Sequence, residues 1–528
     1  MNRRVLTAAI LAFALAAAAA PAKTFRWASQ GDAASLDPHA QNEGLTNQIS
    51  ALAYEALLQY DKHMRLRPML AVSWENPQPT RWVFHLRPNV KFHDGTPFTA
   101  DDVVFSFNRA RTTTGSFKLY STDVGNARKV DDLTVEFTSD KPNPVELGNI
   151  ANIFIMSKAW CEKNKAERAQ DISAREETFS ARNANGTGPY ILVLREPGVK
   201  TLYRKNPDWW GIREGLFEGN VDTVEYRQVT NASTRTAALQ SGELDFVLDP
   251  PVQDIPRAKE DAALKVWEGP ENRIIFLQMD QARDELAYST VKGRNPFKDV
   301  RVRKALYQAI DIEAIRTQVM RGLSLPTGLL QPSFEGSGVP ESFEKRLPFD
   351  PAASRKLLAD AGYPNGFGFT LTCPNNRYIN DEKICTAIAA MWARVGLDVK
   401  VDSVPRAIFF PRALKLDITA CIYGWGSDSG DAVDTLKPVL HSRDDKGAGT
   451  NNVGNYKVPE LDALIEAAAV EMNRAKRQEL IDRAMAMVRD EVLMIPLHRQ
   501  VIPWLSRAGV TVVHRPNNQL YLPWVRMP

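Results

Sequence analysis

Short strand-like runs and longer helical patterns alternate along most of this chain. Residues 81–87 (RWVFHLR) and 133–138 (LTVEFT) alternate apolar and polar side chains, as half-buried strands do. Residues 100–110, 300–322 and 460–491 carry apolar side chains at helical spacing, and the last of these patterns is long enough for two helices. No repeat, low-complexity tract or long linker interrupts them. The alternation predicts an α/β fold in one continuous body.

The N-terminus predicts a secretory signal peptide over residues 1–22. Arg3 and Arg4 precede an apolar stretch from Val5 to Ala20, and a small-residue Ala-Pro-Ala pattern precedes Lys23. The alternative is an N-terminal membrane anchor, but the stretch is shorter than the roughly 20 residues that span a bilayer. No cysteine follows the stretch, which excludes lipid attachment there. We therefore expect cleavage before Lys23 and export.

The charge of the chain is nearly balanced. The formal net charge is +3 and falls by two when Arg3 and Arg4 are removed. A net charge this close to zero gives no electrostatic indication that the chain binds nucleic acid or anionic lipid. We expect a soluble exported protein whose partners do not include nucleic acid.

Cysteine usage leaves two interpretations open. The four cysteines are Cys161, Cys373, Cys385 and Cys421. Cys373 and Cys385 flank a short loop that a disulfide would close in an oxidising compartment, and the alternative is four buried thiols. No CxxC spacing occurs, so a structural zinc site or thiol redox chemistry is not indicated.

Six stretches resemble sequence motifs of one known protein family, and they occur in the same order as in that family. The family comprises the ABC-transporter solute-binding proteins of the dipeptide, oligopeptide and nickel type, solute-binding family 5. The stretches are 35–39 (SLDPH), 54–75 (YEALLQYDKHMRLRPMLAVSWE), 84–110 (FHLRPNVKFHDGTPFTADDVVFSFNRA), 186–211 (GTGPYILVLREPGVKTLYRKNPDWWG), 238–246 (ALQSGELDF) and 300–311 (VRVRKALYQAID). Because the matches extend over nearly the whole mature chain, chance similarity is improbable.

The resemblance implies a fold class and domain boundaries. The expected fold is the α/β bilobal periplasmic-binding-protein fold (type II, cluster C), with an extra subdomain inserted in lobe one, and the lobes close on a ligand by a hinge motion. The implied domains are the signal peptide at 1–22, lobe one at 23–63 with 186–278 and 497–528, the inserted subdomain at 64–185, and lobe two at 279–496.

The resemblance also implies ligand-binding residues. In the dipeptide-binding branch an aspartate binds the peptide ammonium and an arginine binds its carboxylate. The stretch WGSDSGDAVD (425–434) resembles the first site and places Asp428 on the aspartate, with Trp425 as a packing surface. The stretch CPNNRYIND (373–381) resembles the second site and places Arg377 on the arginine.

Further candidates lie beside these residues or in lobe one. Asn376 and Tyr378 flank Arg377, whereas Asn42, Glu43 and Gly44 are candidate rim contacts by family position only.

Each principal candidate has a structural alternative. Asp428 has the residue type of a helix cap, ahead of a helix that starts near Asp431. Arg377 has Asp381 and Glu382 nearby in sequence as salt-bridge partners, and Trp425 has the character of a core residue.

The sequence departs from the dipeptide pattern at two positions of the acidic loop. Ala432 and Val433 stand where the branch has proline and aspartate. The departure leaves ligand identity open, since related chains bind oligopeptides, sugars, opines or chelated nickel.

The functional expectation is a periplasmic, non-enzymatic binding component of an ABC importer. We expect a monomer without a cofactor that delivers a short peptide or similar zwitterion to an inner-membrane permease and its ATPase subunits. A nickel or metallophore carrier is the first alternative, with His441 as the histidine to test. An exported hydrolase is a distant alternative, because neither GxSxG nor HExxH occurs. A role in delivering signals to a membrane receptor stays open.

Overall fold

The computed structural model describes residues 22–112, 117–172, 177–330, 341–427, 430–444 and 447–528. Asp428, the residue predicted to bind a ligand ammonium, lies outside these ranges. Within them, no helix combines the length and the apolar character needed to cross a bilayer.

The described residues form strands and helices in alternation, which confirms the α/β prediction. The strands are β1 (Thr24–Ser29), β2 (Leu58–Tyr60), β3 (Leu66–Pro68), β4 (Ala71–Gln78), β5 (Arg81–Leu86), β6 (Asn126–Asp131), β7 (Thr134–Thr138), β8 (Tyr190–Glu196), β9 (Lys200–Lys205), β10 (Thr223–Gln228), β11 (Phe246–Val247), β12 (Leu264–Met279), β13 (Ser324–Pro326), β14 (Gly368–Pro374), β15 (Asp398–Val404), β16 (Ala420–Gly426) and β17 (Ile495–Arg507). The helices are α1 (Gly44–Ser50), α2 (Ala100–Arg111), α3 (Phe117–Asp123), α4 (Glu146–Ala151), α5 (Lys158–Lys163), α6 (Phe179–Arg182), α7 (Trp210–Arg213), α8 (Ala232–Ser241), α9 (Ile255–Glu260), α10 (Val300–Gln308), α11 (Ile312–Ala314), α12 (Pro351–Asp360), α13 (Asp381–Ala393), α14 (Arg406–Leu414), α15 (Val433–Thr435), α16 (Pro459–Val470) and α17 (Arg474–Asp490).

One predicted helix is divided. The pattern over 300–322 forms α10, then α11, then a π-helical segment at Ile315–Val319. The division falls at Asp311, whose side chain accepts a hydrogen bond from the backbone N–H of Ala314 and so caps a new helix.

Two long strands connect the halves of an 11-stranded mixed sheet. The order is β15-β14-β16-β12-β17-β11-β1-β10-β9-β8, with β13 added to β17. Strands β12 and β17 are antiparallel, and their register shifts between Pro270 and Ile274, where Val501 pairs with Pro270 and Arg499 with Ile274. We call this shift, with Gln500 on the opposite strand, the crossover.

Each half of the sheet has its own buried core. On one side of the crossover, β1, β10 and β11 bury aromatic residues such as Trp27, Tyr226 and Phe246. On the other side, β14 and β16 pack against helices through residues such as Leu371 and Trp392. The predicted lobe boundaries at 278 and 497 stay a prediction, and the crossover lies within ten residues of both.

A separate antiparallel sheet lies within the segment predicted as an inserted subdomain. Its order is β4-β5-β7-β6. Phe84 and Phe107 each pack on Phe137, with ring centroids 5.6 and 4.7 Å apart. Whether this sheet and α2 form an independent subdomain stays a prediction.

Candidate functional site

Arg377 lies on a loop that a disulfide closes. Cys373 is buried near the end of β14 and Cys385 lies on α13, and their sulfur atoms are bonded, so of the two interpretations left open the disulfide is the one observed. Cys161 and Cys421 are free and buried. A bridge across 12 residues limits the conformations of the segment that holds Arg377.

The carboxylate of Asp381 shapes this loop from within. Its Oδ2 accepts hydrogen bonds of 3.0 Å from the backbone N–H groups of Arg377 and Tyr378. The expected alternative, an ion pair between the Arg377 side chain and Asp381 or Glu382, is absent from the described structure. Asp381 therefore binds the backbone of the loop, and it does not bind the guanidinium of Arg377.

Tyr378 attaches the loop to the end of strand β16. Its ring is buried, and its hydroxyl accepts a hydrogen bond of 2.8 Å from the backbone N–H of Gly424. The guanidinium carbon of Arg377 lies 5.2 Å from the centroid of the same ring. Tyr378 thus supports Arg377 and joins it to the strand that carries Trp425, two candidate elements that lie 48 positions apart in the chain.

Asp431 and Asp434 fix the position of the acidic loop after β16. Asp431 accepts hydrogen bonds of 2.6 and 2.7 Å from the two terminal nitrogens of Arg477. The half-buried Trp425 donates its indole N–H to the backbone oxygen of Asp434 at 2.8 Å. The indole nitrogen is therefore occupied, and the ring packs partly against a buried core, so a ligand contact by Trp425 stays a prediction.

The electrostatics at Arg377 favour an anion. Burial lowers the pKa of its guanidinium, and the positive charges of Arg273 and Arg406 lower it further. Within the described ranges no carboxylate forms an ion pair with this side chain. A guanidinium matches a carboxylate through two parallel hydrogen bonds, so the ligand role of Arg377 stays a prediction with which this setting agrees.

A hydrogen-bond chain links the Arg377 loop to the crossover. The backbone N–H of Ile379 donates to Gln500 Oε1 at 3.2 Å, and Gln500 Nε2 donates to Glu271 Oε2 at 2.7 Å. Glu271 Oε1 in turn lies 3.4 Å from a terminal nitrogen of Arg273. Sequence reasoning did not find this chain, because Glu271, Arg273 and Gln500 belong to no motif and meet only through strand pairing.

The remaining candidates have structural partners. Asn376 Oδ1 accepts a hydrogen bond of 2.8 Å from the backbone N–H of Arg406, the first residue of α14. Glu43 caps α1 by accepting from the backbone N–H of Thr46 at 3.0 Å. These bonds leave the ligand roles of Asn376 and Glu43 as predictions.

Asn42 and Gly44 lie at the start of the same helix. Asn42 Oδ1 accepts from Asn47 Nδ2 at 2.6 Å, and its Nδ2 lies 3.5 Å from the hydroxyl of Tyr120. Gly44 begins α1 beside open space. No described contact joins this group to Arg377, so its ligand role also stays a prediction.

His441, the histidine singled out for a metal-carrier role, contacts acidic side chains of α16. Its ring nitrogens lie 3.7 Å from Asp462 and 3.4 Å from Glu466. In the part of the chain that the structure describes, no group of three or more His, Cys, Asp or Glu side chains is placed to hold a metal ion.

Two halves of one sheet, joined by two long paired strands and with a half-buried arginine beside the crossover, form the architecture of a bilobal binding protein. Residues 65–447 match the family model described as bacterial extracellular solute-binding proteins, family 5 middle. The chain belongs to this family.

Known proteins resemble the chain over most of its length. Heme-binding protein A of Haemophilus influenzae is 30% identical over 86% of this chain and 83% of that protein. The dipeptide-binding protein of Escherichia coli is 27% identical over 90% of this chain and 89% of that protein.

A solved structure shares the fold. The periplasmic binding protein DppA of Helicobacter pylori, in complex with the peptide STSA, has a TM-score of 0.77 and 23% identity, covering 95% of this chain and 98% of that chain. The likeness confirms the bilobal architecture.

Proposed function

We propose that this chain captures a short peptide, or a similar small zwitterion, between its lobes and delivers it to an inner-membrane ABC permease. The observation that carries the proposal is Arg377. Its guanidinium lies over the ring of Tyr378 beside the crossover, and among the described residues no carboxylate forms an ion pair with it, although the charge of Glu271 acts on it. The peptide binding named for the Escherichia coli and Helicobacter pylori relatives supports the same ligand class.

Arg377 would bind the α-carboxylate of the ligand. Closure of the lobes removes water from both partners, and a charge buried in this way needs an opposite charge. The guanidinium fork supplies two charge-assisted hydrogen bonds, and the fixed loop lowers the entropic cost of forming them. The disulfide and the Tyr378–Gly424 hydrogen bond supply this fixation.

Asp428 would bind the ligand ammonium, and Trp425 would pack against the ligand backbone or first side chain. Trp425 lies on strand β16 and Asp428 comes after it in the sequence, and the end of this strand is tied to Arg377 through Tyr378. Opposite charges at two ends of one cleft select ligand length while tolerating different side chains. Asn376, Tyr378 and the Asn42–Gly44 segment would complete the surroundings.

The cellular setting of this proposal follows the family. The signal peptide would be removed before Lys23, and the monomer would act in the periplasm. Lobe one (23–63, 186–278 and 497–528, with 64–185 inserted) and lobe two (279–496) would close on the ligand. Handover would require the permease and its ATPase subunits, and no chemical step would occur on this chain.

Native mass spectrometry of the protein as purified, followed by calorimetry with defined ligands, tests the proposal. We expect Ala-Ala to bind, and Ala-Ala-amide and N-acetyl-Ala-Ala to bind at least tenfold more weakly. Arg377→Gln should weaken Ala-Ala by about 2 to 5 kcal/mol, because the ligand carboxylate loses a buried partner. It should weaken Ala-Ala-amide much less.

The matched control is Arg316→Gln, which removes an exposed arginine paired with Glu313 on the surface. This variant should bind Ala-Ala as the unmodified protein does. Equal affinity for Ala-Ala and its amide, or unchanged binding in Arg377→Gln, would disprove the role of Arg377. Conversion of any peptide to products would contradict a binding function without catalysis.

A further inference from the structure

The loop 218–222, which precedes β10, contacts residues near both ends of the described chain. On one side, Asn220 Nδ2 donates a hydrogen bond of 2.8 Å to the backbone oxygen of Met527, and Asn220 Oδ1 accepts one of 2.8 Å from the Met527 N–H. On the other side, Asp222 contacts Lys23, the residue before β1. Lys23 is also the residue predicted to become the N-terminus when the signal peptide is removed.

Asp222 binds Lys23 through both its backbone and its side chain. The backbone N–H groups of Asp222 and Thr223 donate to the Lys23 oxygen at 2.9 and 3.1 Å. In the opposite direction, the Lys23 backbone nitrogen donates to Asp222 Oδ2 at 2.9 Å. Thr24 then pairs with Thr223, where β1 begins beside β10. The carboxylate therefore lies at the atom that cleavage before Lys23 would convert into an ammonium group.

The Asp222 carboxylate has no other positive charge bound to it. The residue is half-buried, and among the described residues no cation forms an ion pair with it. The side-chain ammonium of Lys23 donates instead to the backbone oxygens of Pro528 and Met527, at 2.7 and 3.3 Å. In the uncleaved chain the carboxylate therefore accepts its hydrogen bond from a neutral amide.

Cleavage changes the charge of this hydrogen-bond donor. An endopeptidase that hydrolyses the peptide bond between Ala22 and Lys23 consumes one water, leaves a carboxylate on Ala22 and leaves an ammonium on Lys23. An α-amino group has an ordinary pKa of about 8 and is therefore mostly charged at pH 7. The hydrogen bond then joins two opposite charges, which adds Coulomb attraction to it.

We propose that Asp222 is a binding site for the α-ammonium of Lys23, so that removal of residues 1–22 adds an ion pair that the precursor lacks. This inference rests on the cleavage position given under the proposed function, and it does not depend on the ligand. The new pair secures β1, which lies between β11 and β10 in the 11-stranded sheet. The folded state is therefore favoured more in the processed chain than in the precursor.

Acetylation of the α-amine tests the inference on the processed protein. The chain that starts at Lys23 is treated with limiting acetic anhydride at pH 7, and mass spectrometry of its peptides gives the rate at the α-amine relative to the exposed side chain of Lys163. An amine reacts through its neutral form, which a neighbouring carboxylate depletes. We expect the α-amine of the folded unmodified protein to react at least five times more slowly than that of Asp222→Asn, a variant that keeps an acceptor but loses the charge.

A second start position supplies a test without a substitution. A chain that starts at Ala20 retains the last three residues of the predicted signal peptide, and its α-amine should react as fast as that of Asp222→Asn. The control Asp208→Asn changes an exposed aspartate ahead of α7 and should keep the slow rate. In urea, the unfolding equilibrium constant should be at least threefold lower for the chain that starts at Lys23 than for the chain that starts at Ala20. In Asp222→Asn the two starts should agree within twofold.

The outcomes separate this inference from the proposed function. Equal α-amine rates in the unmodified protein and in Asp222→Asn overturn the inference, and so does an equally slow rate in the chain that starts at Ala20. An exported protein whose first residue is not Lys23 also overturns it. If Asp222→Asn does not fold, the comparison of the two start positions decides. Calorimetry with Ala-Ala on the same proteins tests the proposed function independently, because a protein that binds no peptide can still show the slow α-amine rate.

Discussion

The Tyr378 hydroxyl accepts a hydrogen bond of 2.8 Å from the backbone N–H of Gly424. This bond joins the loop that carries Arg377 to strand β16, which carries Trp425 and precedes Asp428 in the sequence. Two segments that lie far apart in the sequence and carry separate candidate charges are therefore parts of one unit. A change at either end of this bond should affect both the stability of the fold and the position of Arg377.

Gly424→Ala should destabilise the protein. The added Cβ would lie 2.7 Å from the Tyr378 ring and 2.8 Å from Ile275, in a fully packed region. Overpacking of this kind costs about 1 to 3 kcal/mol. Urea unfolding measures the loss, and calorimetry with Ala-Ala should show weaker binding because Tyr378 moves.

Gly426→Ala is the matched control on the same strand. Its added Cβ would lie no closer than 3.4 Å to any atom of Asn272 or Arg273. We expect a change in the free energy of unfolding below about 1 kcal/mol. Equal destabilisation of the two variants would contradict the packing argument.

Removal of the disulfide should lower both stability and affinity. Cys373→Ser with Cys385→Ser opens the loop across 12 residues, and loss of such a closure costs about 2 to 4 kcal/mol. The Kd for Ala-Ala should rise because Arg377 samples more positions. Unfolding with and without a reducing agent is the measurement: the reductant should destabilise the unmodified protein and leave the double variant unchanged.

Gln500→Leu should disconnect the Arg377 loop from the crossover. The substitution removes the acceptor of the N–H of the half-buried Ile379 and the donor to the buried carboxylate of Glu271, so each group loses that partner. Each unsatisfied buried group costs about 1 to 3 kcal/mol.

The measurements for Gln500→Leu are unfolding and peptide binding. The control Gln478→Leu removes a side-chain hydrogen bond to Asp482 within helix α17. We expect the control to change peptide affinity less than twofold, and Gln500→Leu to change it at least fivefold. The same affinity in both variants would show that the chain of hydrogen bonds does not position Arg377.

Glu55 should make stability depend on pH. It is buried, and its carboxylate accepts hydrogen bonds from the indole N–H groups of Trp209 and Trp210 and from the hydroxyl of Thr187. Burial raises its pKa from 4.5 to about 7. Between these values the unfolded chain releases a proton that the folded chain retains, so this group makes folding less favourable as pH rises.

Glu55→Gln isolates this contribution. The stability of the unmodified protein relative to the variant should fall by about 3 kcal/mol between pH 4 and pH 8, and it should be flat outside that range. Urea unfolding at a series of pH values measures the difference. A difference that does not change with pH would mean that the pKa of Glu55 is not raised.

The elements with strong local patterns could be predicted from the sequence. Strand β5 and helices α16 and α17 follow their hydrophobic periodicity closely. The division of the helix predicted over 300–322 could not be foreseen from the sequence. The helical spacing of apolar residues continues past Asp311, whereas the side chain of Asp311 caps a new helix there.

The site could be predicted only where it lies on a motif. Arg377 and Trp425 belong to stretches that resemble the family. Glu271, Arg273 and Gln500 do not, and they meet because a register shift sets three residues of β12 against one of β17. No pattern within a single strand encodes which residues of another strand will lie opposite.

The continuity of β12 and β17 has a consequence for how the molecule melts. Both strands run without interruption through the two halves, so neither half keeps a complete sheet after the other has come apart. We therefore expect a single peak of heat absorption in differential scanning calorimetry, with equal van't Hoff and calorimetric enthalpies of unfolding. A ligand held in the cleft should move that peak as a whole to higher temperature.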